Sequence, residues 1–294
     1  DAGSSAGSNV LTSVTLNGAT SPTPHDFDDH DIVARLTVPL YYRSASAGPN
    51  IFELGSSWIV SSDVNFVSPA GVAATTYPTY SNSAGIRIMS GHSMTISTIA
   101  GVDEMVVESG ATLTLANTMA LAFYVNNGTG TDLTVDGTVI NQSAFAWTVG
   151  GTINFSATGK YDHNVAGGTI PASTWTAGSE CKVSGSLGSV PSGLGQSFSD
   201  FVWACPGQTA SLNLSGALTS VGRDLNVTST NGFTLGLTAT TAYSLTVGRD
   251  VNVSSGSLTL VTGANASAST LAVTGDLNIT GNGGFTVAGG SSSG

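Results

Sequence analysis

The sequence is poor in charged residues, which make up 9% of its 294 positions, against about a quarter in an ordinary soluble domain. Lysine and arginine number only 7, and 18 acidic residues leave a formal net charge of -11. Scattered cations in such small number cannot neutralise a run of phosphates. We therefore expect no nucleic-acid partner.

The sequence also lacks any run of about 18 apolar residues, so it predicts no membrane span. Neither end combines a charged segment with an apolar one, and we expect Asp1 to be a processed N-terminus. The chain has two cysteines, Cys181 and Cys205, too few for a closed four-ligand zinc site. We predict a structural disulfide between them, with two buried free thiols as the alternative.

Hydrophobic residues make up 40% of the chain and glycine numbers 38. This content is enough to bury a sizeable core, so disorder is not expected. Much of the remainder is Ser, Thr and Asn, which gives a hydroxyl-rich surface with few lysines. That composition is typical of secreted bacterial repeat proteins and favours an extracellular, cell-surface location.

A repeat of one solenoid turn is the most informative feature of the sequence. Residues 220–229, 246–255 and 273–281 align, and their glycines, Gly222, Gly248 and Gly275, lie 26 and 27 residues apart. Within each unit apolar residues alternate with polar ones, which predicts a strand. Further strand-like pieces lie at 256–263, 269–275 and 284–290, between turn residues.

Asparagine recurs at one position of this repeat, as Asn226, Asn252 and Asn278. Stacked coils would place these side chains one above another as an amide ladder. Strand alternation places the ladder outside, although an inward ladder is also compatible with the sequence.

Similar segments occur earlier, at 105–115, 133–141 and 147–155. Gly110 and Gly137 are one repeat apart, whereas Gly137 and Gly151 are separated by only 14 residues, which we interpret as a half-coil or an irregular rung. Since one coil cannot bury its apolar face alone, stacking must complete both the core and the backbone pairing. We predict an all-β parallel β-helix (β-solenoid) over residues 85–294, preceded by a less regular β region at 1–84.

The segment from 151 to 227 resembles secreted bacterial surface proteins with β-solenoid repeats and a C-terminal secretion-sorting domain. The resemblance covers about residues 85–294 and implies a right-handed parallel β-helix without catalytic residues. No sorting domain follows in this chain, so we expect that it was removed or that the chain is a fragment. The matching positions are Tyr161, His163, Gly167, Gly168, Pro171, Trp175, Cys181, Pro191, Gln196, Phe198, Trp203 and Cys205.

The densest polar cluster is PHDFDDHDI, whose carboxylates are candidate calcium ligands: Asp26, Asp28, Asp29 and Asp31. Carboxylate oxygens suit Ca²⁺, but the loop lacks the glycine and distal glutamate of an EF-hand. A solvated acidic loop is the alternative, and no other cofactor is predicted.

A polysaccharide lyase or hydrolase would need clustered carboxylates or a basic residue beside calcium. The candidates are sparse, and we predict that the protein is not an enzyme. His92 is predicted to be structural. The tryptophans could form a sugar-stacking platform but more often pack in a core. Glycan partners remain an option, because Asn-x-Ser/Thr sequons occur at Asn127, Asn141, Asn154, Asn213, Asn226, Asn252, Asn265 and Asn278.

A solenoid has two open ends, whose unpaired strand edges invite pairing with another chain. Residues 9–18 read as a strand, and we predict that its apolar residues Val10, Leu11, Val14 and Leu16 pair onto an adjacent subunit. Such head-to-tail contacts produce a homopolymer. The sequence thus predicts a structural protein of a surface filament or adhesin stalk; the alternatives are a carbohydrate-binding module and a lyase.

Overall fold

The computed structural model describes residues 39–288, except 99, 120, 129, 146, 240, 241 and 264–267. This part of the chain is a parallel β-solenoid of about 7 turns. Its single helical element is a 3-10 turn, Gly55–Ser57. The prediction of an all-β parallel solenoid is confirmed.

Four sheets form the sides of the solenoid. Sheet 1 contains β1 (Tyr41–Ser44), β3 (Trp58–Ser61), β4 (Val72–Ala73), β5 (Gly85–Ile88), β8 (Met105–Val107), β11 (Leu133–Val135), β14 (Ile153–Phe155) and β16 (Thr174–Trp175). Sheet 3 contains β7 (Gly101–Val102), β10 (Tyr124–Val125) and β13 (Thr148–Val149). Sheet 4 contains β18 (Ser197–Phe198), β21 (Ser220–Val221), β24 (Tyr243–Val247) and β26 (Ser269–Val273).

Sheet 2 is the longest, with 12 strands. Its last strands, β25 and β27, run through a corner of the coil, so the sheet covers two sides there. Its strands are β2 (Asn50–Ile51), β6 (Ser93–Ile96), β9 (Thr112–Leu115), β12 (Thr138–Asn141), β15 (Lys160–His163), β17 (Glu180–Val183), β19 (Asp200–Ala204), β20 (Leu212–Asn213), β22 (Leu225–Ser229), β23 (Thr234–Thr238), β25 (Val251–Val261) and β27 (Leu277–Ala288).

The core forms because alternate residues of each strand point inward and stack on the equivalent residue of the next coil. One such inward ladder of sheet 2 is formed by Leu113, Val139, Tyr161, Cys181, Phe201, Leu225 and Val251. All seven side chains are fully buried. Each coil alone would leave this row exposed, so coil stacking and core formation are one event.

Coil length varies along the molecule. Leu225 pairs with Val251, and Val251 pairs with Leu277, which confirms the 26-residue repeat at these strands. A register shift after Val253 accounts for the 27-residue step. Thr138 pairs with Lys160, so the coil that contains Gly137 is shorter than those of the C-terminal third. The predicted half-coil is wrong, because Gly137 and Gly151 lie at two corners of this one short coil.

The parallel order breaks down at the N-terminal end of the described residues. β1 pairs antiparallel with β3 on one side and parallel with β5 on the other. β3 in turn pairs antiparallel with β4. An irregular β region therefore precedes the regular coils and shares sheet 1 with them.

Candidate functional sites

The last described coil differs from the others because no further coil covers it. Leu277 and Ile279 of β27 continue the inward rows of Val251 and Val253, which are fully buried. Both are 43% exposed. β27 therefore presents an open strand edge beside an open core.

Two side-chain ladders run up to this edge on the outer face of sheet 2. In the first, Asn252 Nδ2 donates to Asn226 Oδ1 and Asn278 Nδ2 donates to Asn252 Oδ1, both across 2.9 Å. The amide ladder of the sequence prediction is thus formed, and it faces outward. Because each amide donates to the preceding coil, the carboxamide oxygen of Asn278 is in position to accept the same bond from a further coil.

The second ladder joins carboxylates to backbone amides. The N–H of Asp224 donates to Asp200 Oδ1 across 3.1 Å, that of Asp250 to Asp224 Oδ1 across 3.2 Å, and that of Asp276 to Asp250 Oδ1 across 2.9 Å. Asp276 is exposed. Each aspartate thus fixes the start of the next coil, and Asp276 is placed to do so for another strand.

Arginines neutralise the first carboxylates of this second ladder. Arg223 Nε lies 3.4 Å from Asp200 Oδ1, and Arg249 Nη2 lies 3.3 Å from Asp224 Oδ2. The next position in this series is Gly275, whose backbone lies so close to Asp250 that an added Cβ would be 2.2 Å from Oδ1. Negative charge therefore increases toward the open end.

The predicted disulfide is not formed in this structure, where Cys181 and Cys205 are separate buried thiols. The coil register explains why. Cys181 pairs with Phe201, four residues before Cys205, which places the two Cα atoms about 13 Å apart along an extended strand, whereas a disulfide needs less than about 7 Å. The Cys205 thiol donates to the Val183 carbonyl oxygen across 3.3 Å.

Burial also makes both thiols poor nucleophiles. It raises the pKa of Cys205 to about 11 and that of Cys181 well above the ordinary value. Since the thiolate is the reactive form, neither cysteine is suited to covalent chemistry at neutral pH.

His163 belongs to a closed polar chain inside the core. Its Nε2–H donates to the Gly167 carbonyl oxygen across 2.6 Å, and its Nδ1 accepts from the Tyr161 hydroxyl across 3.2 Å. Asn141 Nδ2 donates to the same hydroxyl oxygen across 3.2 Å. Burial lowers the pKa of His163, so the imidazole is neutral and both its nitrogens are used.

The other candidate polar residues lie apart. Asp132 is fully buried; burial raises its pKa, but hydrogen bonds from Thr152 and Gly128 outweigh that effect and lower it. Asp162 lies on the outer face, 3.1 Å from Lys182 Nζ, and also accepts from the Ser184 hydroxyl. These contacts hold corners and neighbouring coils together.

Three of the four tryptophans pack into the core, as their alternative interpretation predicts. Trp58 and Trp203 are fully buried, and Trp175 is 9% exposed. Trp175 and Trp203 donate their indole N–H to Gln196 and Gln208, each across 3.1 Å. These three are not available as a sugar-stacking platform.

His92 lies at a strand end, where its Nδ1 contacts the Ser44 hydroxyl at 2.7 Å. Ser44 Oγ also accepts the Met89 N–H across 2.9 Å. His92 thus ties β1 to the start of β6.

The remaining predicted site residues lie outside the described part of the chain. They are the calcium candidates Asp26, Asp28, Asp29 and Asp31 and the assembly-strand residues Val10, Leu11, Val14 and Leu16. Among the described residues, no three His, Cys, Asp or Glu side chains are grouped to hold a metal ion. Nor does this part of the chain hold a helix long and apolar enough to cross a membrane.

Comparison with family models, with curated proteins and with solved structures finds no match to this chain. Interpretation of the candidate surfaces therefore rests on their own geometry.

Proposed function

We propose that the protein is an extracellular structural protein whose copies associate lengthwise, head to tail, in a surface filament or adhesin stalk. The observation that carries this proposal is the open edge of β27. Leu277 and Ile279 continue buried rows yet are half exposed, and an exposed strand edge beside exposed core residues is a ready template for strand addition.

The ladders at this edge specify how an added strand pairs. Asp276 offers a carboxylate where three preceding coils have used one to bind a backbone N–H. Asn278 offers a carboxamide oxygen where two preceding coils have paired amides. An added strand in parallel register satisfies both groups, so the edge favours one register over a slipped one.

The added strand is proposed to come from residues 9–18 of a neighbouring copy, in which Val10, Val14 and Leu16 alternate with polar residues. A contact between two different surfaces of identical copies does not close on itself and produces a filament. The resemblance of residues 151–227 to secreted bacterial surface proteins supports the extracellular placement.

The test compares two substitutions by negative-stain microscopy and light scattering after chromatography. Ile279→Lys places a charge on the open core, where the side chain is 43% exposed, so the monomer tolerates it. Ile140→Lys places the same charge on the outer face of sheet 2, beside Asp162. Circular dichroism checks that both variants fold.

The expected result is filaments from the natural protein and from Ile140→Lys, and single particles from Ile279→Lys. Single particles from the natural protein at all concentrations, or filaments from Ile279→Lys, would contradict the proposal.

A further inference from the structure

A cleft of about 300 Å³ lies on the outer face of sheet 1, in the volume range of small-molecule sites. It exists because Gly85 interrupts the row of outward side chains. Tyr41 of β1 pairs with Gly85 of β5, and a Cβ on Gly85 would lie 3.1 Å from the Tyr41 ring. The tyrosine ring therefore stands over bare backbone and forms one wall of the cleft.

The opposite wall is Phe66, in the loop between β3 and β4. Asp63 builds this loop: its carboxylate accepts the N–H groups of Asn65, Val67 and Ser68 across 2.8–2.9 Å. These bonds hold Phe66 at a φ of 57°, a conformation uncommon outside glycine.

The Arg43 guanidinium lies over the Phe66 ring, 4.5 Å from its centroid. Such a cation–π contact adds a second constraint to the phenyl group. Held by the loop backbone and by Arg43, the Phe66 wall is preorganised before any ligand arrives.

Polar groups of both kinds line the rest of the cleft, from Arg87, Glu104 and Thr131. Arg87 Nη1 lies 3.3 Å from Glu108 Oε1, and its guanidinium has five N–H donors in all. The Glu104 carboxylate accepts hydrogen bonds, and the Thr131 hydroxyl both donates and accepts.

The charge balance disfavours an anionic ligand. Arg87 is the one cation that lines the cleft, it is paired with Glu108, and the Glu104 carboxylate lies in the same lining. The chain as a whole carries a net charge of -11. A neutral ligand avoids this repulsion.

We propose that this cleft binds the pyranose ring of a neutral saccharide. Such a ring has apolar C–H faces that pack against Tyr41 and Phe66, and its hydroxyls accept from Arg87 while donating to Glu104. The site uses no residue of β27, so it stands or falls independently of lengthwise assembly.

The test is saturation-transfer NMR with four neutral disaccharides: cellobiose, lactose, mannobiose and N,N′-diacetylchitobiose, each at about 10 mM, which detects even millimolar affinity. Two variants remove the cleft. Gly85→Val fills its floor with a residue suited to a strand, and Tyr41→Ala removes one wall. Tyr124→Ala, at an exposed tyrosine of sheet 3, is the matched control.

Transfer from the protein to ring protons of at least one disaccharide is expected, with affinity at least about tenfold lower in Gly85→Val and Tyr41→Ala and unchanged in Tyr124→Ala. Unfolding midpoints confirm that each variant is folded. Absence of transfer to all four sugars overturns the proposal, and so does binding that both cleft variants retain.

Discussion

Asn252 Nδ2 donates to Asn226 Oδ1 across 2.9 Å, from one coil to the preceding coil 26 residues earlier. The contact links the repeat in the sequence to the stacking in the fold, because equal side chains meet only where the repeat equals one coil. Asn278 repeats the contact one coil later, at the edge where further strands are proposed to add.

The amide ladder should stabilise the solenoid in proportion to the bonds removed. Asn252→Ala breaks two inter-coil bonds and Asn278→Ala breaks one. We expect Asn252→Ala to lower the free energy of unfolding by about 1–2 kcal/mol and Asn278→Ala by about half as much. Urea titration of both variants at a concentration that prevents association makes the comparison; equal losses would show that the ladder is not cooperative with the stack.

His163 predicts a dependence of stability on pH. Burial lowers its pKa in the folded state, while the unfolded chain has the ordinary value of about 6.5. Between these values the unfolded state binds more protons, so stability is complete above about pH 6.5 and falls as pH drops toward the folded value. Unfolding midpoints from pH 8 to 5 measure the loss, and His163→Gln should remove that part of the pH dependence while lowering stability at every pH.

The two cysteines should behave as buried thiols. With the pKa of Cys205 raised to about 11 and that of Cys181 raised further by burial, neither should react with iodoacetamide at pH 8 in the folded protein. Both should react in denaturant. Intact-mass measurement without reductant gives the check, since a molecule lighter by two hydrogens and unreactive in denaturant would mean that a disulfide forms after all.

Gln208 should be among the most costly polar residues to replace. It is fully buried, its Oε1 accepts from Trp203 Nε1 across 3.1 Å, and its Nε2 donates to the Ala210 carbonyl oxygen across 2.8 Å. Gln208→Leu keeps the volume but leaves these two partners unpaired, which should cost about 2–4 kcal/mol of unfolding free energy.

The half-buried Gln142 offers a matched substitution for that measurement. Gln142→Leu should change the unfolding free energy by less than about 0.5 kcal/mol. A Gln208→Leu variant as stable as Gln142→Leu would contradict the buried network around Trp203.

The regular coils could be predicted from the sequence because strand alternation and coil length both leave a periodic signal. Val251 and Val253 face inward while Asn252 faces outward, and the 26-residue step brings equal residues together. The short coils could not be predicted in the same way. Between Gly137 and Lys160 the corners change length, so no fixed interval marks them.

The disulfide failed for a related reason. The resemblance aligns Cys181 and Cys205 with family positions, but whether two cysteines meet depends on the register between β17 and β19, which sequence spacing alone does not give. The cleft at Gly85 was also missed. It depends on Phe66, brought over sheet 1 by an irregular loop, and the sequence signal available was only the Asp63 turn and a glycine in an otherwise apolar strand.

The central claim is that β27 is an edge to which another strand adds. Hydrogen–deuterium exchange of the β27 amides, measured over a range of protein concentrations, tests it most directly. Amides that point away from β25 should exchange freely in dilute protein and become protected as association proceeds, while those bonded to β25 stay protected throughout. Particles that grow while the outward amides of β27 remain unprotected would contradict the account.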